Sequence, residues 1–251
     1  MTFLDHLDLF RAAIPGLDWF ALAWFAVCWI GYTLYADHQG QAGRNLLRGT
    51  DRMRTVWMER LLEREIRIVD SALLGNLMHS VSFFASTTMV IIGGLIATLG
   101  AVDHAMQWVA NLGLLAPAGR EAWTLKLMAL IVVFIYAFFK LTWSIRQFNR
   151  CAILIGAAPP HDQLDDSRRR AWARRLGRLS ALAGHDFNRG LRAYYFGLAL
   201  LAWFVHPWAF AGASVWVVVV LYRREFASEP VALLCEDDSE EGDGGKQGDR
   251  E

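Results

Sequence analysis

Two long stretches without a charged side chain constrain this sequence more than any other feature. Residues 71–102 and 193–222 each run for about 30 residues without Asp, Glu, Lys or Arg, well beyond the ~18 apolar residues that indicate a transmembrane helix. Unpaired backbone groups are costly in lipid, so only helices and closed barrels cross a bilayer. These stretches are too long and too continuously apolar for barrel strands. The sequence therefore predicts an all-α, polytopic helical membrane protein.

Four apolar segments divide the chain into predicted spans and connecting segments. Transmembrane helices are predicted at residues 17–36, 71–102, 123–145 and 193–222. Lys126 and Lys140 lie near the two ends of the third span, where a lysine can extend its ammonium group to the interface. The other predicted segments are a short extracytoplasmic N-terminus (1–16), an arginine-rich cytoplasmic loop with a helix (37–70), an extracytoplasmic loop (103–122), a second arginine-rich cytoplasmic loop with a helix (146–192) and an acidic, disordered tail (223–251).

Arginine placement predicts how the spans are oriented. Seven arginines lie between residues 44 and 67 and ten between residues 146 and 192, whereas the segment between the second and third spans contains only Arg120. Because cytoplasmic loops carry the excess of Lys and Arg, both arginine-rich loops are expected on the cytoplasmic side of a bacterial inner (plasma) membrane. Their helices are expected to rest on anionic lipid, which explains the arginines more simply than nucleic-acid binding does. Gly184 is expected to end the second of these helices.

The fourth apolar segment admits two interpretations, because His206-Pro207 interrupts it near its middle. Arginines flank the segment on both sides, which favours a hairpin with both ends in the cytoplasm. Each leg of such a hairpin has about 16 residues, or about 24 Å of helix, which is short for a full span. Length therefore favours a single helix kinked at the proline, which would place the acidic tail outside.

Polar side chains share one face in each of the last three spans. At helical spacing the candidate polar interior consists of Asn76, His79, Ser80 and Thr87 in the second span, Tyr136 and Lys140 in the third, and Asn188, Arg192, Tyr195 and His206 in the fourth. The commoner explanation is a packing seam, since small and polar residues allow helices to approach closely. The alternative is a pore or pocket in which Lys140 and Arg192 form a cationic site for a phosphate, a lipid headgroup or a carboxylate.

No pattern in the sequence predicts a catalytic residue, a cofactor or a metal site. His79 and His206 could ligate haem only at equal depth, and their positions within the two spans differ. The His and Asp residues between positions 161 and 166 are better explained as a helix N-terminus, where acidic side chains favour the macrodipole. The three cysteines form no CxxC pair. Phosphate-binding, dinucleotide-binding, zinc-protease and hydrolase motifs are all missing from the sequence.

Several short strings of residues resemble a known family. They are RTVWM at residues 54–58, REIRIVD at 64–70, SFFASTT at 82–88 followed by Gly93-Gly94, NRGLRAYYF at 188–196 with Trp203-Phe204 and Pro207, and YRREF at 222–226. These strings are similar to an uncharacterised bacterial and plant membrane family, domain of unknown function 599. The resemblance covers nearly everything except the acidic tail. It implies about four membrane spans and supplies no active site.

The sequence therefore favours a non-enzymatic inner-membrane protein. We expect it to bind or conduct a small ligand, or to modulate membrane partners, through the polar face shared by the second to fourth spans. A second copy of the chain or another membrane protein is the expected protein partner. The alternative is a membrane enzyme that acts on lipid headgroups at the cytoplasmic interface, with His79, Arg192 and the loop arginines holding the headgroup. No nucleophile and base occur at a spacing that requires this alternative.

Overall fold

A computed structural model of the chain describes residues 14–42, 46–110 and 119–229. Within these ranges it is all-α, which confirms the predicted fold class. The α-helices are α1 (Gly16–Ala42), α2 (Leu46–Glu63), α3 (Ile68–Gly100), α4 (Val102–Ala110), α5 (Arg120–Ala157), α6 (Asp166–Val205) and α7 (Pro207–Phe226), with a single 3-10 turn at His161–Gln163. Most of the predicted N-terminal segment and most of the predicted acidic tail lie outside the described residues.

Among the helices of the described ranges, three are long and apolar enough to cross a membrane. They are Gly16–His38 within α1, all of α3 and all of α5. These helices coincide with the first three predicted spans, so the chain is a helical membrane protein. Each of α3 and α5 also exceeds the ~20 residues that a bilayer core of about 30 Å requires. A helix of this length either extends beyond the apolar core of the bilayer or crosses it at a strong tilt.

The fourth predicted span is divided between α6 and α7, which form a helical hairpin. Along α1, the successive residues Asp18, Phe25 and Tyr32 contact Trp203, Phe196 and Arg192 of α6, whereas Phe20 and Phe25 contact Trp208 and Phe210 of α7. The residue numbers fall on α6 and rise on α7, so the chain reverses direction at His206. A single kinked helix, which the length argument favoured, is not what the structure contains.

The chain divides into two compact units, and the first contains Met1–Leu34, Ser82–Thr142 and Asn188–Val219. Within this unit α5 and α6 are in close contact at Gly190. A Cβ atom added to Gly190 would lie 2.9 Å from Cγ of Leu141, so only a glycine fits there without a shift. In the same unit α4 packs through Val102 against Trp123 and Leu127. This short helix lies in the segment that was expected to be a loop.

The second unit contains Tyr35–Val81, Trp143–Phe187 and Val220–Glu251. Within it α2 lies along α6, where Arg54 donates to the Ser180 hydroxyl at 2.6 Å and His185 meets Asp51 at 2.8 Å. Burial lowers the pKa of the Arg54 guanidinium, and the Asp51 carboxylate opposes this effect. Arg67 donates to three carbonyl oxygens at the end of α5, those of Ile155, Ala158 and Pro159. Arginines that the sequence assigned to topology therefore also join helices.

Candidate functional site

An open groove in the second unit lies between α2 and α3. Its volume is about 350 Å³, and it is lined by Trp57 of α2 and by Leu73, Asn76, Leu77 and Ser80 of α3. The α3 residues follow at intervals of three and four, so they share one face of the helix. The wall is mainly apolar, with one amide and one hydroxyl group. A groove of this size is within the range that small ligands occupy in proteins.

A buried carboxylate fixes one side of the groove. The indole N–H of Trp57 donates to Oδ1 of Asp70 at 2.7 Å, and Arg64 donates to the same oxygen at 2.6 Å. Asp70 is fully buried, whereas 46% of the Arg64 side chain remains exposed. Oδ2 of Asp70 is buried and accepts no hydrogen bond from the described residues. Because Asp70 lies one turn before Leu73 on α3, Arg64 is held near the Leu73 end of the groove.

A second polar centre, in the first unit, joins α1, α5 and α6. Nζ of Lys126 donates to the backbone oxygen of Trp203 at 3.0 Å and lies 3.8 Å from Oδ1 of Asp18. The indole N–H of Trp203 also donates to Oδ1 of Asp18, at 2.5 Å. Only 5% of the Lys126 side chain and 6% of the Asp18 side chain are exposed. The ammonium group of Lys126 is thus not exposed, as its place near the end of the third span had led us to expect, but forms a buried ion pair.

Three of the sequence-predicted site residues lie in the second unit. Asn76 and Ser80 line the groove. His79 is exposed on the same helix and does not contribute to the groove wall. The Ser80 hydroxyl donates to the backbone oxygen of Asn76, so it remains available as an acceptor. The structure therefore brings two members of the predicted polar face into one cavity.

In the first unit, the residues of the predicted polar interior that lie on α3 and α5 contact nearby side chains or backbone groups. The Thr87 hydroxyl donates to the Phe83 carbonyl on its own helix. The Tyr136 ring packs edge-on against Trp29 at 5.3 Å, and Lys140 lies 6.0 Å from the centre of the Tyr136 ring. Of these three contacts, the one between Tyr136 and Trp29 joins two helices, and the other two lie within a single helix.

The residues of the predicted polar interior that lie on the α6–α7 hairpin differ in their burial. Arg192 is buried and lies 5.7 Å from the centre of the Tyr32 ring. Asn188 and Tyr195 are half-buried on α6. His206 is exposed at the turn of the hairpin, where its Nδ1 accepts from the backbone N–H of Trp208. Lys140 and Arg192 thus lie over different tyrosine rings.

The acidic cluster between residues 161 and 166 lies at a helix start. Oδ1 of Asp165 accepts from the backbone N–H of Arg168 at 2.7 Å, which is the geometry of an N-cap at the start of α6. That hydrogen bond, together with one from the Ser167 hydroxyl, lowers the pKa of Asp165. In the part of the chain that the structure describes, no group of three or more His, Cys, Asp or Glu side chains could hold a metal ion.

The sequence profile of the family described as "Protein of unknown function, DUF599" matches residues 20–230. The chain belongs to this family. The resemblance found in the short strings of residues is thereby confirmed. No curated protein and no solved structure matches this DUF599 chain. The groove and both Lys126 and Trp203 lie within the matched range of the DUF599 profile, whereas Asp18 precedes it.

Four residues of the groove and of the buried polar centre were not predicted as site residues from the sequence. They are Trp57, Asp18, Lys126 and Trp203. Trp57 was assigned to a helix at the membrane surface, so the polar-face argument on the spans did not include it. Asp18 and Lys126 each lie near the end of an apolar segment, where a single charge is expected. One signal was available: two opposite charges fall inside two different predicted spans, and charges in such positions are usually paired.

Proposed function

We propose that this protein is a multi-pass inner-membrane protein that binds an amphipathic small ligand in the groove between α2 and α3. The observation that carries the proposal is the groove itself, with its apolar wall and the polar groups of Asn76 and Ser80. One wall belongs to α3, a helix long and apolar enough to cross the membrane. A ligand with an apolar portion could therefore reach the groove along α3 without leaving the lipid phase. Of the polar residues that the sequence grouped on one face, this proposal uses only Asn76 and Ser80.

We further propose that the second unit faces the cytoplasm. This unit contains most of the arginines of the chain, which favours the cytoplasmic side. The α6–α7 hairpin returns Arg223 and Arg224 toward the side from which α6 begins. Under this topology the groove lies where cytoplasmic lipid headgroups and soluble amphiphiles are both available.

A photoreactive fatty acid provides a direct test of the groove proposal. The purified protein in detergent would be labelled with a diazirine-bearing fatty acid, and the labelled peptides would be mapped by mass spectrometry. We expect label on peptides that contain Trp57 or residues 73–80. Ser80→Phe should suppress this label, because the new ring occupies the groove. Ser86→Phe is the matched control, since Ser86 is also an exposed serine of α3 but does not line the groove.

Two results would contradict this proposal. One is labelling spread evenly along α3, which would indicate ordinary contact with detergent or lipid. The other is equal suppression by the two substitutions, which would show that any added ring on α3 has the same effect. Insertion into membranes and monodispersity in detergent must be the same for both variants, so that a folding defect is not mistaken for a filled groove.

A further inference from the structure

We propose that the ligand of the groove is an anionic phospholipid, with its phosphate on Arg60 and Arg64 and one acyl chain along the face from Leu73 to Ser80. This inference rests on the proposed function, and it adds the chemical class of the ligand. It depends on the position of the two arginines, on the exposure of their guanidinium groups and on the composition of the groove wall.

Both arginines follow Trp57 toward the end of α2. Arg60 lies one turn beyond Trp57, and Arg64 lies two turns beyond it, immediately after the last residue of α2. The hydrogen bond to Asp70 fixes the guanidinium of Arg64 one helical turn from Leu73. The cationic groups are therefore concentrated at the Leu73 end of the groove. The wall toward Ser80 contains no charged side chain.

At the end of α2 the two arginines share the face of Trp57, whereas Glu59 lies on the opposite face and Glu63 to one side, and Glu65 follows Arg64 beyond the helix. Asp70 compensates much of the charge of Arg64, but its contact uses a single N–H group, and nearly half of the side chain is exposed. Arg60 is exposed and contributes a further positive charge. The nearby Glu63 lies 3.9 Å from Arg169 of α6, so part of its charge is compensated there. A guanidinium presents its donors in a fork that matches phosphate oxygens.

The remainder of the groove suits an acyl chain. From Leu73 to Ser80 the face extends about 10 Å along α3, and beyond Ser80 the helix continues through its apolar run to Gly100. An acyl chain lying on this face would thus point along the apolar part of α3. Asn76 and Ser80 line the same face and provide hydrogen-bonding groups for the ester oxygens of the same lipid.

The test compares two lipids of equal chain length. Delipidated protein in detergent would be titrated with a short-chain phosphatidylglycerol and with the matching phosphatidylcholine, and bound lipid would be counted by native mass spectrometry. One arginine near an anionic lipid surface contributes about 1 kcal/mol, which corresponds to about a fivefold change in affinity. We therefore expect the wild type to prefer phosphatidylglycerol and Arg60→Gln to reduce that preference about fivefold. Arg175→Gln, an exposed arginine of α6, should leave it unchanged.

The outcomes separate this inference from the proposed function. Equal binding of both lipids that is lost in Ser80→Phe, but not in Arg60→Gln, would overturn the inference and leave the groove as a ligand site. A preference for phosphatidylglycerol that Arg60→Gln and Arg175→Gln reduce equally would also overturn the inference, because it would reflect net charge alone. Binding of either lipid that is indifferent to Ser80→Phe would overturn the proposed function itself.

Discussion

Replacing Lys126 with methionine should destabilise the protein more than any surface substitution on α5. Methionine retains an unbranched apolar side chain but removes the ammonium group that donates to the Trp203 carbonyl and faces Asp18. In a continuous helix the Trp203 carbonyl would accept from the N–H of residue 207, which is a proline and has none. Lys126 supplies the missing donor where α6 ends, and it neutralises the carboxylate of Asp18.

The expected loss follows from the burial of the pair. Removing one partner of a buried ion pair leaves an uncompensated charge and typically costs about 3–5 kcal/mol, of which an unsatisfied carbonyl alone accounts for about 1–3 kcal/mol. Asp18→Asn should cost a similar amount, because it leaves Lys126 charged and buried. The double variant Asp18→Asn/Lys126→Met should lose less than the sum of the single variants, since replacing both charges removes the electrostatic conflict.

Thermal unfolding in detergent, followed by the loss of monodisperse protein, would measure these differences. Arg120→Met is the matched control on α5, because Arg120 pairs with Asp103 at 3.3 Å while about two thirds of each side chain, 66% and 65%, is exposed. An exposed pair is worth at most about 1 kcal/mol. The reasoning is refuted if Lys126→Met lowers Tm no more than Arg120→Met, or if the two single losses add up fully in the double variant.

Two further predictions concern the helices of the second unit and their close contacts. A Cβ atom at Gly177 would lie 2.7 Å from Oγ1 and 3.0 Å from Cα of Thr55, so Gly177→Ala should cost about 1–3 kcal/mol. Gly93→Ala, where the space is open, should be neutral or slightly stabilising, and thermal unfolding compares the two. Asp165→Ala removes the N-cap bond from the Arg168 N–H and should lower Tm at neutral pH. The pKa of Asp165 is depressed in the folded state, so this stabilisation is present above the ordinary Asp pKa of about 3.9 and declines as pH falls through the folded value. A Tm difference that stays constant below about pH 4 would contradict this account.

The three long apolar helices could be predicted from the sequence, because each combines sufficient length with at most two charged residues in its predicted span. The fourth predicted span could not be assigned by the same argument, because the arginines that precede it lie inside a helix rather than at its end. α6 continues for 40 residues through Arg189 and Arg192. Arg192 is accommodated because it is buried over the Tyr32 ring rather than exposed to lipid. The leg that seemed too short for a hairpin is therefore part of a much longer helix.

Gly184 shows why a helix end could not be inferred from residue type alone. The sequence places a glycine after a run of basic residues, which is typical of a C-terminal cap. In the structure Gly184 lies inside α6, and a Cβ atom there would be 3.0 Å from Nη2 of Arg54. The glycine makes room for a side chain of α2. Which helix crosses at a glycine is a tertiary property that the spacing within one helix does not contain.

The candidate sites show the same division between local and tertiary information. Helical spacing grouped Asn76 with Ser80, because both belong to one face of one helix. It could not add Trp57, which reaches the groove from another helix. For the buried pair, however, the sequence contains a physical requirement. Pro207 leaves the carbonyl four residues before it without its helical donor, and an unpaired carbonyl in an apolar environment needs a donor from elsewhere. Lys126, inside a neighbouring span, supplies that donor, and Asp18 of a third helix faces its ammonium group and accepts from the Trp203 indole. The sequence predicts that a donor is needed, but it does not decide between Lys126 and Lys140, which lie in the same span.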